Sequence, residues 1–296
     1  MKTFSADVKK QVQKLLDEAD AIVVGAGAGL STAAGFAFSG ARFERYFHDF
    51  RERFGIRDMY SGGFFPFPDA ETFWGWWCRS IWVNRYAPMP GDLYARLLQA
   101  LAGRDFFVLT TNVDHAFQRS GFPKDRLFYT QGDYGLFQSS EPTGITATKT
   151  YDNREIVEAM LRSERWDFTE DGDLFVPQGK RISMRIDSSL IPICPDDGAP
   201  MTTNLRADEF FVEDDGWHAA AKRYHAFLER TEGRRVLFLD LGVGQNTPGI
   251  IKYPFWRMTA EHPNARYACV NPTRMYVPEE IEDRTTLFVC SANDII

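Results

Sequence analysis

The sequence predicts an α/β fold in which a doubly wound parallel sheet is built from short buried strands. Three observations support this class: apolar runs of four to six residues, helical segments between several of them, and a glycine-rich turn after the first run. Apolar runs without polar alternation are typical of strands covered on both faces. The predicted strands are residues 21–24, 106–110, 127–129, 236–241, 267–270 and 287–290.

Helical segments precede three of these strands. Apolar residues at helical spacing occupy 8–16 and 93–101, and a third segment covers 217–232. Gly103 and Gly233 follow the second and third segments, where a glycine commonly ends a helix. The alternation of helix and strand indicates helices on both faces of a parallel sheet.

Two stretches interrupt this alternation and predict a smaller inserted module. Residues 60–86 contain ten aromatic side chains, four of them Trp, and indicate a helical insertion. Residues 133–213 are polar and rich in turns, with one helical patch near 154–162. We expect one domain over 1–296. Its large module would cover about 1–35, 91–132 and 217–296, and its small module about 36–90 and 133–216.

Composition excludes several classes of protein. The 34 basic and 41 acidic residues leave a net charge of −7, which argues against a nucleic-acid partner. Aromatic residues make up 15% of the chain, which argues against disorder. Residues 21–41 carry no charge, yet five glycines make a membrane span a poor interpretation, so no membrane partner is expected. The first residues lack the pattern of a signal peptide, which favours a cytoplasmic protein.

The glycine turn at 25–32 follows the first predicted strand. Glycines there let the backbone approach a ligand, and the amino end of a following helix favours a pyrophosphate. The spacing is neither GxGxxG nor GxxxxGK[ST], so on this motif alone a tight turn without a ligand stays open.

Together with four later motifs, this turn resembles the sirtuin family. Residues 27–35 resemble its GAGxSxxxG segment, and 110–114 resemble its T-Q-N-I-D motif. Residues 131–132 fall where sirtuins carry a His-Gly pair, 242–244 correspond to the G-T-S turn, and Asn271 matches the late Asn that contacts the adenosine ribose. The resemblance implies a Rossmann-like domain that binds NAD at the switch point of its sheet.

The resemblance also implies the residues that contact NAD: Gly27, Ala28, Gly29, Ser31, Thr32, Phe38, Asn112, Asp114, Gln131, Gly242, Gly244, Asn246, Asn271, Asn293 and Asp294. Three of them, Asn112, Asp114 and Gln131, are the expected catalytic residues. Asn112 would position the ribose or an attacking water, or else only cap the strand. Asp114 would accept from the nicotinamide amide, or else cap the next helix. For Ser31 and Thr32, too, a helix cap remains the alternative to a phosphate or ribose contact.

Gln131 is the most informative departure from the sirtuin pattern. Sirtuin deacylases carry their catalytic His at this position, where an imidazole can take a proton from a ribose hydroxyl. An amide lacks that basicity but can still donate and accept hydrogen bonds. Residues 36–40 also replace the I-P-D-F-R segment of the deacylases. Conventional deacetylation is therefore not expected.

The same substitution occurs in macrodomain-linked (class M) sirtuins, which this chain resembles at 25–38, 58–63, 131–135, 204–208 and 211–217. That resemblance implies an NAD-dependent protein ADP-ribosyltransferase that releases nicotinamide. The implied acceptor is a lipoylated carrier protein like the glycine-cleavage H protein, and the functional partner is a macrodomain hydrolase. The alternatives are a protein lysine deacylase, an NAD glycohydrolase, and a sensor of NAD or ADP-ribose without catalysis.

The zinc module of the family is degenerate in this chain. Ser139 and Thr143 align with the first pair of zinc-binding cysteines. Cys194 begins a segment resembling a CPxCG knuckle, with Asp197 in place of its second Cys. One thiolate cannot hold a structural Zn²⁺, so we expect no zinc and a small zinc-ribbon-like module held by packing. A hard cation at Asp196 and Asp197 is the alternative to a solvated turn.

Overall fold

The computed structural model describes residues 2–244 and 248–296, with side chains from Ala6 onward. The strands are β1 (Ala21–Ala26), β2 (Phe106–Thr110), β3 (Leu127–Tyr129), β4 (Gly132–Ser139), β5 (Tyr151–Asp152), β6 (Asp167–Phe168), β7 (Leu174–Phe175), β8 (Met201–Leu205), β9 (Val236–Leu241), β10 (Arg266–Asn271) and β11 (Thr285–Val289). The α-helices are α1 (Lys2–Glu18), α2 (Ala28–Ala33), α3 (Ala41–Phe54), α4 (Met59–Gly62), α5 (Ala70–Ile81), α6 (Leu93–Ala100), α7 (Ala116–Arg119), α8 (Arg154–Ser163), α9 (Asp215–Thr231), α10 (Lys252–Glu261) and α11 (Ala292–Ile295).

The contacts of the described residues divide the chain into two compact units. The first contains the residues up to Gly35, Gly91–Gln131, and those from Gly216 onward. The second contains Phe36–Pro90 and Gly132–Asp215. None of the described helices is long and apolar enough to cross a bilayer, and the uncharged stretch after residue 20 divides into β1 and α2.

A six-stranded sheet forms the centre of the first unit. Its order is β3-β2-β1-β9-β10-β11, and every neighbouring pair is parallel. Numbered within the sheet alone, this is the 3-2-1-4-5-6 order of Rossmann folds, with its switch point between β1 and β9. The predicted α/β class and doubly wound parallel sheet are confirmed.

Burial explains why these segments form strands. Every residue of β1, β2 and β9 is buried. One face of the sheet packs against α9 and α10 through a set of large residues: Val23, Phe107, Phe238, Tyr224, Phe227 and Phe255. Side chains alternate between faces, so Val24 and Val108 point to the other face, and both are fully buried there. Apolar residues are therefore needed on both sides of each strand.

The second unit contains the predicted aromatic segment. An antiparallel sheet, β5-β4-β8, and the pair β6-β7 accompany helices α3, α4, α5 and α8. Trp76 is fully buried, with its ring centroid 4.4 Å from that of Phe47 and 5.2 Å from that of Phe50. Trp74, Trp77 and Trp82 are buried as well, so the tryptophans form the core of this unit.

Candidate active site at the carboxyl edge of the parallel sheet

Two glycine turns meet where β1 and β9 end. The backbone N–H of Gly27 donates to the carbonyl of Leu241 (3.1 Å), and that of Gly29 donates to the carbonyl of Gly242 (2.9 Å). A Cβ on Gly27 would lie 2.7 Å from Val243 Cα, and one on Gly29 would lie 2.7 Å from the Gly242 oxygen. The two turns approach too closely for side chains, so these glycines are required by backbone packing even before a ligand binds.

Three residues of the same turns, or directly after them, are open to solvent. Ala28, Thr32 and Gly244 are exposed, and a Cβ on Gly244 would meet no atom within 4 Å. Helix α2 begins directly after Gly27 without a side-chain cap. The exposed amino end of a helix favours an anionic group such as a pyrophosphate, so this edge fits the phosphates of a dinucleotide.

A chain of hydrogen bonds runs beside this turn through Asn112, Tyr94, Ser31 and Asp114. Ser31 Oγ donates to Asp114 Oδ2 (2.5 Å) and lies 2.8 Å from Tyr94 Oη. Asn112 Nδ2 donates to the carbonyl of Gly27 (3.1 Å) and to Tyr94 Oη (3.4 Å). The segment after β2 is therefore attached to both α2 and α6.

The direction of this chain follows from charge. Burial, and then the negative charge of Asp114, raise the pKa of Tyr94 well above its ordinary value, and the phenol stays protonated. The single proton of Ser31 is already donated to the carboxylate, so Tyr94 donates to Ser31. The order of donation is Asn112 to Tyr94 to Ser31 to Asp114. Aligned hydrogen bonds of this kind polarise one another and hold each side chain in one orientation.

Sequence reasoning missed Tyr94. It lies on α6 on the same face as Leu97 and Leu101, and it is fully buried. The available signal was a phenol hydroxyl within an apolar helical stripe, since a buried tyrosine usually needs a hydrogen-bond partner. The sequence could not indicate that its partners are Ser31 and Asn112, because they lie 63 and 18 residues away along the chain.

Asp114 lies inside the protein rather than at its surface. It is 7% exposed, and its second oxygen, Oδ1, accepts from the backbone N–H of Ala116 (2.9 Å) at the start of α7. Both of its oxygens therefore contact the protein. The cap residue of α7 is His115, so Asp114 contacts the first N–H of the helix from one residue before the cap. His115, which lies between Asp114 and Ala116 in the chain, has a left-handed backbone φ of 61°.

Gln131 and Asn112 follow neighbouring strands that are joined through Thr110. The backbone N–H of Thr130 donates to the Thr110 carbonyl (2.9 Å), and that of Asn112 donates to Thr110 Oγ1 (3.0 Å). Gln131 is half-buried, and no group among the described residues hydrogen-bonds its side chain. An amide with both its donors and its acceptor available therefore follows the end of β3.

The other residues expected to contact NAD make hydrogen bonds within the protein where the structure describes them. Asn271 ends β10, and its Oδ1 accepts from the backbone N–H of Thr273 (3.1 Å). Asn293 and Asp294 are exposed on α11, where Asn293 accepts from Arg96 and Asp294 takes part in the helix cap. Asn246 lies outside the described residues. Phe38 belongs to the second unit, where its carbonyl accepts from the N–H of Met59 (2.8 Å).

Hydrogen bonds within the protein hold the loop of the degenerate zinc knuckle, residues 194–198, in place. Cys194 is buried, its carbonyl accepts from the N–H of Gly198 (2.9 Å), and its Sγ lies 3.3 Å from Tyr151 Oη. The N–H of Ala199, followed by the hydroxyl of Ser139, lowers the pKa of Asp197 to about 2. Among the described residues, no group of three or more His, Cys, Asp or Glu side chains could hold a metal ion. The residues at the aligned knuckle positions do not fit a structural Zn²⁺ site.

We expect a chelator to leave the folded protein unchanged. Hydrogen bonds of Asp197 and Cys194 already close the knuckle, so no metal–ligand bonds would be lost. The check is the melting temperature with and without EDTA, together with the metal content of the purified protein. A lowered melting temperature with stoichiometric zinc would contradict this prediction.

Two curated proteins are similar to this chain. A "Protein ADP-ribosyltransferase" of Staphylococcus aureus is 34% identical over 285 residues, which cover 96% of this chain and 83% of that protein. A "Probable bifunctional ADP-ribose hydrolase/ADP-ribosyltransferase" of Fusarium oxysporum is 31% identical over 246 residues, which cover 81% of this chain but 38% of the fungal protein. No protein-family model matches the chain.

Solved sirtuin structures share the fold. A structure of Sir2 bound to an acetylated peptide has a TM-score of 0.56 at 19% identity, covering 96% of this chain and 94% of that one. A structure of Sir2 with a p53 peptide and NAD⁺ has a TM-score of 0.51 at 17% identity, with the same coverage. The arrangement of strands and helices is thus retained where most of the sequence differs.

Proposed function

Because the chain belongs to the family of protein ADP-ribosyltransferases and has the sirtuin fold, we propose that it transfers ADP-ribose from NAD to a protein side chain, with release of nicotinamide. One structural observation carries the proposal. Gln131, whose amide has no hydrogen-bond partner among the described residues, follows β3, the strand next to the one that Asn112 follows. By resemblance this is the position at which a sirtuin deacylase carries its base. The site can therefore orient a ribose without removing a proton from its hydroxyls.

NAD supplies the ADP-ribosyl group, with nicotinamide as the leaving group. The chain's own residues bind and orient. The exposed amino end of α2 suits the phosphates. Hydrogen bonds from Nδ2 hold the side chain of Asn112, so its side-chain oxygen, Oδ1, is available to a ligand. Ser31 and Asp114 act through this hydrogen-bond chain and keep Asn112 in place. Positioning and preorganised hydrogen bonds together supply a large part of the rate gained in many enzymatic group transfers.

The acceptor is proposed to be a lipoylated carrier protein similar to the glycine-cleavage H protein. The segments that resemble class M sirtuins support this proposal. The fungal relative supports the second partner, a macrodomain hydrolase that removes the modification, because its name combines an ADP-ribose hydrolase with an ADP-ribosyltransferase.

The experiment is incubation of the purified chain with NAD and the carrier protein, lipoylated or unlipoylated, followed by mass spectrometry. The expected result is a carrier heavier by one ADP-ribosyl group and an equal amount of nicotinamide. Free ADP-ribose alone would indicate a glycohydrolase. A deacylated lysine peptide would indicate a deacylase, and binding of NAD without any product would indicate a sensor.

We expect Gln131→Ala to weaken transfer more than NAD binding. The side chain makes no hydrogen bond within the described protein, so its removal should leave folding unchanged while the ribose loses an orienting contact. Loss of one such contact lowers kcat by about tenfold. The measurements are kcat for transfer and Kd for NAD. Gln118→Ala, a half-buried glutamine of the same unit, is the control. A loss of affinity for NAD with kcat unchanged would make Gln131 a binding contact only.

A further inference from the structure

A buried ionic cluster lies directly behind the second glycine turn. Asp240 of β9 and Lys252 of α10 form an ion pair whose side chains are both 0% exposed. Tyr267 of β10 donates from its hydroxyl to Asp240 Oδ2 (2.7 Å), and Lys252 Nζ lies 3.3 Å from the same hydroxyl. The site described above uses none of these three side chains.

The cluster is attached to the turn by one hydrogen bond. The second oxygen of the carboxylate, Asp240 Oδ1, accepts from the backbone N–H of Val243 (3.0 Å). The preceding residue, Gly242, accepts from the N–H of Gly29. A single carboxylate therefore connects the first residue of α10 to the turn, and the turn contacts the backbone after β1.

Stability alone does not account for this arrangement. Removing two charges from water is costly, and an apolar pair of similar size often gives equal or greater stability. Such a pair would not accept a hydrogen bond from Val243. Asp240 thus provides a fixed acceptor for the Val243 N–H in the turn, and Lys252 balances its negative charge.

We propose that Asp240, with its charge balanced by Lys252, is a positioning residue that holds the Gly242–Val243 turn against Gly27 and Gly29 and thereby sets the affinity for NAD. This inference rests on the proposed function, because it takes the NAD site to lie at these turns. Neither residue touches the ligand. Their effect is transmitted by the Val243 N–H and the Gly242 carbonyl.

Two charge-neutral double variants test the proposal. Asp240→Asn with Lys252→Met keeps an acceptor for the Val243 N–H, whereas Asp240→Leu with Lys252→Met has nearly the same shape and no acceptor. We measure hydrogen exchange at the amides of Gly29 and Val243, Kd for NAD, and kcat at saturating NAD. We expect the Leu variant to exchange faster at both amides and to bind NAD about tenfold more weakly, with kcat changed less than about twofold.

The Asn variant is expected to restore protection and to return the Kd to within about threefold of wild type. Equal exchange and equal affinity in the two variants would overturn the proposal. If the Leu variant does not fold, Asp240→Ala with Lys252→Met removes the acceptor with a smaller side chain. Exchange and affinity equal to those of the Asn variant would then overturn the proposal. If the wild-type chain does not bind NAD, the proposed function fails, while the exchange comparison still decides whether Asp240 holds the turn.

Discussion

Replacing Asn112 with alanine is expected to lower the rate of ADP-ribose transfer by about 100-fold to 1,000-fold, the usual cost of removing one preorganised hydrogen-bonding group at a reaction centre. Its Nδ2 is held by Gly27 and Tyr94, and its carbonyl oxygen has no partner among the described residues. The side chain is therefore fixed with one polar atom left for a ligand. The measurement is the single-turnover rate of transfer at saturating NAD.

Asn112→Ala should lower the free energy of unfolding only slightly. Asn112→Ala removes the hydrogen bond to the Gly27 carbonyl, worth about 1 kcal/mol. Asn264→Ala is a matched control, because Asn264 Nδ2 donates to the Gly233 carbonyl (2.9 Å) just ahead of β9, at the opposite edge of the sheet. We expect similar unfolding free energies for the two variants and near-normal transfer only for the control. Equal transfer by both would remove Asn112 from the site.

Replacing Gly242 with alanine is expected to lower the free energy of unfolding by about 3–5 kcal/mol and to abolish NAD binding. Gly242 has a left-handed φ of 68°, which costs other residues roughly 1–2 kcal/mol. A Cβ there would also lie 2.5 Å from Leu30 N and 2.7 Å from Gly29 Cα, so backbone would have to move. Urea unfolding and calorimetric titration with NAD measure the two effects.

Gly233 provides the matched control for this change. Its φ is 75°, and a Cβ there would meet nothing within 4 Å. Gly233→Ala should therefore carry only the cost of the left-handed backbone, about 1–2 kcal/mol, and should keep NAD binding. Equal stability of Gly242→Ala and Gly233→Ala would show that close packing between the two turns does not explain the need for Gly242.

The strands illustrate what can be predicted from residue order. β2, β3 and β9 begin and end as predicted, because a run of apolar residues reports burial on both faces. β1 runs two residues further than expected, to Ala26. Gly25 and Ala26 pair with Leu109 and Thr110 on β2. The length of β1 therefore depends on how far β2 runs beside it. Composition could not indicate this extension.

For the candidate site, too, some residues were predicted from the sequence and others were not. The glycine turn, Asn112 and Gln131 were predicted from short motifs, since each motif follows a predicted strand and parallel strands end at one edge. The burial of Asp114 and the role of Tyr94 were not predicted. Their hydrogen bonds join residues far apart in the chain, and a polar residue in an apolar segment does not reveal its partner.

By itself, then, the order of residues determined the class of fold, the strands of the parallel sheet and the place of the candidate site, because hydrophobic runs and turn residues act locally. The five strands of the second unit, β4 to β8, were not predicted. Only the tertiary structure decided which polar groups meet. Asp240 reaches Lys252, Tyr267 and the Val243 N–H, and Ser31 joins Tyr94 to Asp114, through contacts made by three-dimensional packing. Burial then makes these contacts obligatory, since an unpaired polar group in the interior is costly.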